Sequence, residues 1–230
     1  TLFPMYTTKR MDYDTTRGKY VYQQIISDFE QGRIDMLVGT QMVTKGLDFD
    51  NVALVCILSA DSMLHFPDFR ANERAFQMMM QVAGRAGRKG SQGKVLVQTY
   101  DKKHEIFKYL KSHDYSGFIC QQIDERKSFN YPPYSRLIGI ILKHRNQRKL
   151  DLAADTLVDL LRMSFGKRVL GPEYPEISRI RNYYHKNILL KIEQKASVLE
   201  AKKILQIIVD RMQKDSNFKS VRLIVDIDPV

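Results

Sequence analysis

The sequence contains no tryptophan and only two cysteines, and the shortage of cysteine excludes a disulfide-rich protein and a cysteine-rich metal protein. Cys56 and Cys120 lie 64 positions apart, so they form neither a disulfide framework nor a metal-binding cluster. Because each stands beside apolar residues, we expect both thiols to be reduced and buried. Long apolar runs are also lacking, since the longest, from Val52 to Leu58, is too short to cross a bilayer.

An export signal is absent as well, because no positively charged start is followed by an apolar stretch. The chain begins with Thr1 rather than methionine. We therefore expect a cytoplasmic part of a longer protein, with no membrane association.

Acidic side chains are also fewer than basic ones, at 26 against 37, which gives a formal net charge of +11. The excess is uneven: up to His104 there are 14 basic and 11 acidic side chains, and beyond it 23 and 15. A positive protein attracts polyanions, and nucleic acid is the commonest such partner. A basic surface without a defined patch is the alternative.

The first half of the chain alternates apolar runs with amphipathic stretches. Continuous apolar runs are typical of strands buried on both faces of a parallel sheet. We predict strands at 36–38, 52–58 and 94–99, and helices at 18–31, capped by Thr15 and Thr16, and at 72–88. This order predicts an α/β fold with parallel crossovers, in which functional groups gather at the carboxyl ends of the strands.

The second half changes character after two further helical stretches, 105–110 and 115–127. Residues 129–134 contain two prolines and predict a stiff extended joint, so we place a domain boundary between 128 and 129. Beyond it we predict a small α+β domain of helices over a mostly antiparallel sheet. Its predicted elements are strands at 135–143 and 221–227, a hairpin of 176–181 with 186–193, and helices at 147–163 and 197–214.

The most informative segment runs from Gln81 to Arg88 and reads Gln-Val-Ala-Gly-Arg-Ala-Gly-Arg. On a helix, Gln81, Arg85 and Arg88 fall at i, i+4 and i+7 and share one face. Small residues between them, including Gly84, allow a bulky anion to approach closely. Two planar, permanently charged guanidiniums suit a nucleotide polyphosphate, whereas the alternative is a solvated basic helix end.

A second segment, Val38 to Phe49, follows a predicted buried strand and has glycine at both of its turns. Backbone amides, the Thr40 hydroxyl and Lys45 could grip sugar-phosphate there. Asp48 could accept a hydrogen bond from a ribose or orient an arginine. The glycines could equally be simple turn residues and Asp48 a surface residue.

These two segments resemble the fifth and sixth motifs of the second RecA-like lobe of superfamily 2 helicases. Further segments narrow the resemblance to the PriA (primosomal protein N′) family of bacterial replication-restart DNA helicases. They are Met11–Thr16, Phe29–Gly32, Phe66–Arg74 and Tyr131–Tyr134. The resemblance covers essentially the whole chain, and is most specific over residues 36–100.

The resemblance implies a RecA-like helicase lobe 2 over residues 1–128, and a DNA- and protein-binding domain similar to ribosomal protein S10 over 129–230. It implies an ATP-dependent 3′–5′ DNA helicase that recognises stalled or forked replication DNA and initiates primosome assembly. The resemblance implies that Arg85 and Arg88 are arginine fingers and that Gln81 orders the nucleotide or water. It implies that Gly46, Asp48 and Gly84 bind ATP. It also implies that Thr40, Gln41 and Lys45 contact single-stranded DNA.

The chain also departs from the family pattern. No Gly-x-x-x-x-Gly-Lys-Ser/Thr phosphate loop occurs, and neither does the family's zinc module. ATP and Mg²⁺ would therefore be shared with another lobe, zinc would belong to the full-length protein alone, and we expect this chain to be inactive by itself. The implied partners are forked and single-stranded DNA, single-stranded DNA-binding protein, and the primosome and replicative-helicase loading proteins, with the protein acting as a monomer.

Basic and aromatic residues interleave around the predicted hairpin, as expected of sequence-independent single-strand binding. The candidate DNA contacts there are Arg179, Arg181 and Lys186, with Arg168, His185, Lys191, Tyr174, Tyr183 and Tyr184 nearby. An ordinary basic sheet face with buried tyrosines is the alternative. Tyr184-His185 stands where the family resemblance leads us to expect Tyr-Arg.

Two other functions fit parts of the pattern. A non-catalytic adaptor could retain the lobe 2 fold and bind through its basic C-terminal domain, although it would not need nucleotide-facing guanidiniums. An RNA helicase would share the lobe but not the Pro-Asp-Phe-Arg and Tyr-Pro-Pro segments.

Overall fold

A computed structural model describes residues 4–15, 20–40, 52–87 and 93–229. The chain divides into two compact units, Thr1–Cys120 and Gln121–Val230. No helix within these ranges is long and apolar enough to span a membrane. The described residues also include no group of three or more His, Cys, Asp or Glu side chains arranged to hold a metal ion.

The first unit is mixed α/β with parallel strand pairs, as predicted. Strand β1 pairs with β2, and β3 pairs with β4, as two separate two-stranded sheets. Its elements are β1 Thr8–Met11, α1 Val21–Glu30, β2 Met36–Gly39, β3 Leu54–Ile57, α2 Asp61–Leu64, α3 Ala71–Ala83, β4 Lys94–Val97, α4 Ile106–Ser112 and α5 Tyr115–Ser128, of which α5 continues into the second unit.

The prediction that these strands are buried on both faces is wrong for the described strands. Leu54 of β3 is 50% exposed and Leu96 of β4 is 57% exposed. In a sheet of two strands, side chains alternate between a covered and an open face, so half of an apolar run reaches solvent. Cys56 on β3 and Cys120 on α5 are both exposed rather than buried as predicted, and both are free thiols.

Helix α1 begins later than predicted and without the expected cap. Tyr20 stands at its N-cap and makes no side-chain capping bond. Thr15 instead pairs with Asp12: each backbone N–H donates to the other side chain, at 2.9 Å in both directions. Gly32 follows the helix in the left-handed region, with φ of 70°, as the sequence predicts for a helix stop.

Aromatic packing holds α3 and α5 together. Phe76 and Phe118 are both buried and stack with ring centroids 4.3 Å apart. Met79, one turn after Phe76, is buried in the same cluster. This packing fixes the helix that carries Gln81 at its end.

The second unit is the predicted α+β domain. Two helices cover one face of a five-stranded antiparallel sheet with strand order β6-β8-β5-β9, and β7 pairs with β8. Its elements are β5 Ser135–His144, α6 Gln147–Phe165, β6 Val169–Glu173, β7 Arg179–Ile180, β8 Tyr183–Glu193, α7 Val198–Lys214 and β9 Arg222–Ile227. Leu150 and Leu157 of α6 and Leu205 and Met212 of α7 are buried in this core.

The Tyr-Pro-Pro-Tyr segment is a tight turn rather than the predicted extended joint. The Tyr134 N–H donates to the Tyr131 carbonyl at 2.9 Å, and the Pro132-Pro133 peptide bond is cis. The Lys191 ammonium lies 3.5 Å from the centre of the Tyr131 ring and donates to the Phe129 carbonyl at 2.8 Å. These contacts fasten the turn to the adjacent β8.

Candidate nucleotide and nucleic-acid sites

The Gln81–Arg88 motif begins on α3, but the helix ends at Ala83 instead of continuing to Arg88. The Gly84 N–H still bonds four residues back, to the Met80 carbonyl. The N–H groups of Arg85 and Ala86 instead donate three residues back, to the carbonyls of Val82 and Ala83. Gln81 is exposed and Arg85 half-buried, and Arg88 lies outside the described residues. The predicted single helical face is therefore replaced by a helix end followed by a tightened turn.

The described structure around Gly84 does not itself require glycine at this position. Among the described residues, a Cβ placed on it would meet only the Met80 and Gln81 carbonyls, at 3.5 and 3.7 Å, which is ordinary contact. Its φ of −64° also suits any residue. Since neither packing nor backbone conformation demands glycine, close approach of a ligand is the use for glycine that fits this position.

The described part of the motif ends near the amino end of β3, whereas functional groups of an α/β fold are expected at the carboxyl ends of the strands. Gly87 adopts a φ of 78°, and its N–H donates to the carbonyl of Val52, just before β3, at 3.0 Å. Helix α3 runs back along the sheet, so its last turn returns to the edge where β3 begins. Gly93 fits closely beside it, because a Cβ there would lie 2.3 Å from the Gly87 nitrogen.

The Pro-Asp-Phe-Arg segment organises the start of α3. The Asp68 carboxylate accepts the Arg70 N–H at 2.8 Å and pairs with the Arg74 guanidinium at 2.9 Å. Arg70 in turn lies over the Phe69 ring, 4.8 Å from its centre. This motif therefore positions the helix, at the opposite end from Gln81.

The loop after β2 is described only as far as Thr40, which is exposed directly beyond the strand. Since Met11 pairs with Gly39, Thr40 leaves the same sheet edge as Asp12. Four predicted site residues, Gln41, Lys45, Gly46 and Asp48, lie outside the described residues.

The predicted hairpin in the second unit has an unusual tip. Arg181 and Asn182 join β7 to β8, with φ of 46° and 64°. Two left-handed residues in succession make a type I′ turn, which favours glycine or asparagine. An arginine at such a position is strained and points to a use for its side chain. Arg179, also exposed, lies over the Tyr184 ring at 5.1 Å.

Three of the predicted basic residues are engaged within the protein. Lys186 is buried, pairs with Asp151 at 2.9 Å and lies over the Tyr174 ring. Arg168 pairs with Glu193 at 3.3 Å, and Lys191 is held by the turn described above. Lys186 therefore holds the sheet to α6 rather than reaching outward as a DNA contact.

Three basic residues that sequence analysis missed, Lys143, Arg145 and Arg222, lie beside His185 and Tyr183 on the sheet face opposite the helices. Lys143, His185 and Arg222 form one row, because Lys143 pairs directly with each of the other two. Tyr183 lies two residues before His185, with the guanidiniums of Arg145 and Arg222 over its ring at 5.3 and 4.9 Å. We call Lys143, Arg145, Tyr183, His185 and Arg222 the basic–aromatic face.

Burial, helped by a neighbouring charge, favours the neutral form of His185. Burial lowers the pKa of the His185 imidazole, and the neighbouring Lys143 ammonium lowers it further. The face therefore combines three permanent cations with an uncharged imidazole and a tyrosine ring at neutral pH. Flat rings beside cations suit the bases and phosphates of a single strand.

Comparison with known proteins matches two family models to successive parts of the chain. Residues 6–90 match the model of the helicase conserved C-terminal domain, and residues 127–230 match the primosomal protein N C-terminal domain. The first match includes the Gln81–Arg88 motif, and the second includes the whole basic–aromatic face.

Curated relatives are similar over nearly the whole chain, and each is named replication restart protein PriA. The Bacillus subtilis relative is 37% identical over 96% of this chain, and the Synechocystis relative 38% over 99%. The Treponema pallidum relative is 41% identical over 83%. The chain spans only 27%, 27% and 29% of the lengths of these three relatives. The chain matches the helicase C-terminal domain and then the primosomal C-terminal domain, and it is similar to these relatives along its length. It therefore belongs to the PriA family of replication restart proteins.

Proposed function

We propose that this chain supplies the arginine fingers and part of the DNA-binding surface of an ATP-dependent 3′–5′ DNA helicase that recognises stalled or forked replication DNA. One observation carries this proposal: exposed Gln81, unhindered Gly84 and half-buried Arg85 meet at one helix end inside the helicase-type domain. We propose a RecA-like lobe 2 over residues 1–128 and an S10-like domain over 129–230.

The chemistry proposed for the helix end is charge stabilisation. ATP with Mg²⁺ would be the source of the phosphoryl group, and the phosphate loop would come from another lobe. Arg85 and Arg88 would face the γ-phosphate, and Gln81 would orient the nucleotide or the attacking water. Planar, permanently charged guanidiniums suit this task, and an arginine finger is worth roughly 10³–10⁵ in rate. Gly46 and Asp48 would line the nucleotide edge of the cleft.

DNA would bind on both domains. Thr40, Gln41 and Lys45 would contact the single strand after β2, and Arg179 and Arg181 would contact phosphates at the hairpin tip. The basic–aromatic face extends the second surface across the sheet. Phosphate contacts of this kind fix register without reading sequence, as repair of forks anywhere in a genome requires.

The remaining assignments follow from the family resemblance. The full-length protein would act in the cytoplasm as a monomer, carry zinc outside this chain, and assemble with single-stranded DNA-binding protein and the primosome and replicative-helicase loading proteins. Its activity would begin primosome assembly at the fork.

The test replaces the matching part of the Bacillus subtilis relative with this chain and measures ATP hydrolysis with and without forked DNA. We expect the chain alone to be inactive and the chimaera to hydrolyse ATP in response to DNA. Arg85→Ala and Arg88→Ala should each lower that rate by about 10³-fold or more, with DNA affinity retained. Gln77→Ala, an exposed position one turn before Gln81, is the matched control and should remain active.

Near-normal DNA-stimulated hydrolysis in both arginine variants would contradict the finger assignment. A chimaera that binds forked DNA but hydrolyses no ATP would favour the adaptor function instead.

A further inference from the structure

The loop that follows β4, residues 98–104, plays no part in the function proposed above. It leaves the same sheet edge as the segment after β3, because Ile57 and Val97 pair in parallel strands. Asp61, at the start of α2, joins the two segments. Its carboxylate accepts the Thr99 hydroxyl at 2.9 Å and the Tyr100 N–H at 3.0 Å.

Further hydrogen bonds fix the backbone of this loop. The Thr99 hydroxyl oxygen accepts the Asp101 N–H at 3.1 Å, and the Asp101 carboxylate accepts the Lys103 N–H at 3.0 Å. On the β3 side, the Ala60 N–H donates to the Gln98 carbonyl at 3.0 Å. The carboxylates of Asp61 and Asp101 thus both accept backbone N–H groups of the loop itself.

The charge of Asp61 favours this arrangement at neutral pH. Burial alone would raise the pKa of the carboxyl, but the Tyr100 N–H and the Thr99 hydroxyl outweigh it, so the pKa is lowered. Asp61 is therefore ionised over the physiological range and accepts both bonds.

On this fixed backbone the Tyr100 side chain is 99% exposed. A single exposed aromatic residue is common by itself, but here its backbone is held and two exposed lysines, Lys102 and Lys103, follow. Because the backbone is held, binding has to restrict only the two side-chain torsions of Tyr100, which limits the loss of conformational entropy. The loop therefore presents one aromatic ring and two ammonium groups to solvent.

We propose that Tyr100 stacks on a base of single-stranded nucleic acid while Lys102 and Lys103 contact the flanking phosphates. An aromatic ring accepts any base, so this contact is independent of sequence. It rests on the proposed function, whose substrate is a DNA strand, and adds a contact in the first unit that no other part of that proposal requires.

The direct test uses the 230-residue chain and an oligo-dT strand that carries 5-iododeoxyuridine. Irradiation should cross-link the strand to Tyr100, and fluorescence anisotropy should show a roughly 5- to 150-fold weaker affinity for Tyr100→Ala, as removal of about one stacked base gives. Tyr100→Phe keeps the ring and should bind within about twofold of the parent. Tyr6→Ala, at another exposed tyrosine of the same unit, should bind like the parent.

A second variant tests the role of the held backbone. Asp61→Ala leaves Tyr100 in place but removes the acceptor for its N–H, so affinity should fall although the ring is present. Circular dichroism checks that Tyr100→Ala unfolds at the parental temperature, as expected for so exposed a side chain.

Parental affinity in Tyr100→Ala, or cross-links only to peptides outside residues 94–105, would overturn the proposal. Equal reductions in Tyr100→Phe and Tyr100→Ala would also overturn it, because the contact would then run through the hydroxyl. None of these results bears on the helicase assignment, which is decided by the ATP hydrolysis of the arginine variants.

Discussion

At the scale of single residues, His185 is the group whose protonation the fold controls most directly on the basic–aromatic face. Burial and then Lys143 lower its pKa below the value of about 6.5 that it has in the unfolded chain. At pH values between these two pKa values, the unfolded chain therefore binds more protons than the folded chain. The free energy of unfolding should therefore fall as the pH drops through that window. In an NMR titration, Lys143→Gln should raise the His185 pKa, while Lys195→Gln, at an exposed lysine beyond β8, should leave it unchanged. An unshifted His185 in Lys143→Gln would contradict the assigned cause.

Other single residues show that sequence indicates which side chains carry chemistry better than it indicates where they point. Lys186 is basic and closely follows two tyrosines, as a strand-binding residue should, yet it is buried against Asp151. Arg222 attracts no attention in the sequence because its partners, Lys143 and Tyr183, are distant in the chain. Antiparallel pairing brings the three together, and a sequence pattern does not contain that information.

At the scale of elements, helix α6 gives a prediction about the core of the second unit. Leu157 is fully buried and Leu152, on the same helix, is 60% exposed. Leu157→Ala should lower the free energy of unfolding by about 2–5 kcal/mol, because burial is reduced and a cavity remains. Leu152→Ala should change it by less than about 0.5 kcal/mol. Urea denaturation followed by circular dichroism measures both, and equal reductions would place the core elsewhere.

The success of prediction at this scale depended on the length and regularity of the apolar pattern. Helix α6 was predicted because apolar residues recur at helical spacing over its 19 residues. Strand β6 was missed because Gly171 and Pro172 interrupt its five residues, and both residue types are rare within strands. The end of α3 was placed too late, since the sequence between Gly84 and Arg88 retains helical spacing although the backbone does not retain helical hydrogen bonds.

At the scale of the whole chain, composition predicts an anionic partner, but it does not indicate which surface would bind that partner. The net charge of +11 is a property of all 230 residues, whereas the basic–aromatic face is local. A general field and a local contact differ in their response to salt, because only cations at phosphates release counterions.

The whole-molecule prediction uses that difference. Replacing both Arg145 and Arg222 with glutamine should make the dependence of log affinity on log salt for oligo-dT shallower by about 1.4, at roughly 0.7 for each phosphate deprived of its cation. Replacing Lys202 and Arg211 with glutamine on exposed positions of α7 removes the same charge from the helical side. That control should leave the slope nearly unchanged. Equal changes in the two double variants would mean that the field alone attracts the strand.

The position of β9 at the end of the strand order has a further consequence for how the protein behaves when crowded. The outer edge of β9 carries backbone N–H and C=O groups that an extended peptide could pair with, and Ile224 and Ile227 on this strand are partly exposed. Asp226 lies between them, so a second copy joined antiparallel in the register centred on that residue would bring two carboxylates face to face. Like-charge repulsion therefore protects this edge from self-association of the kind that leads to aggregates.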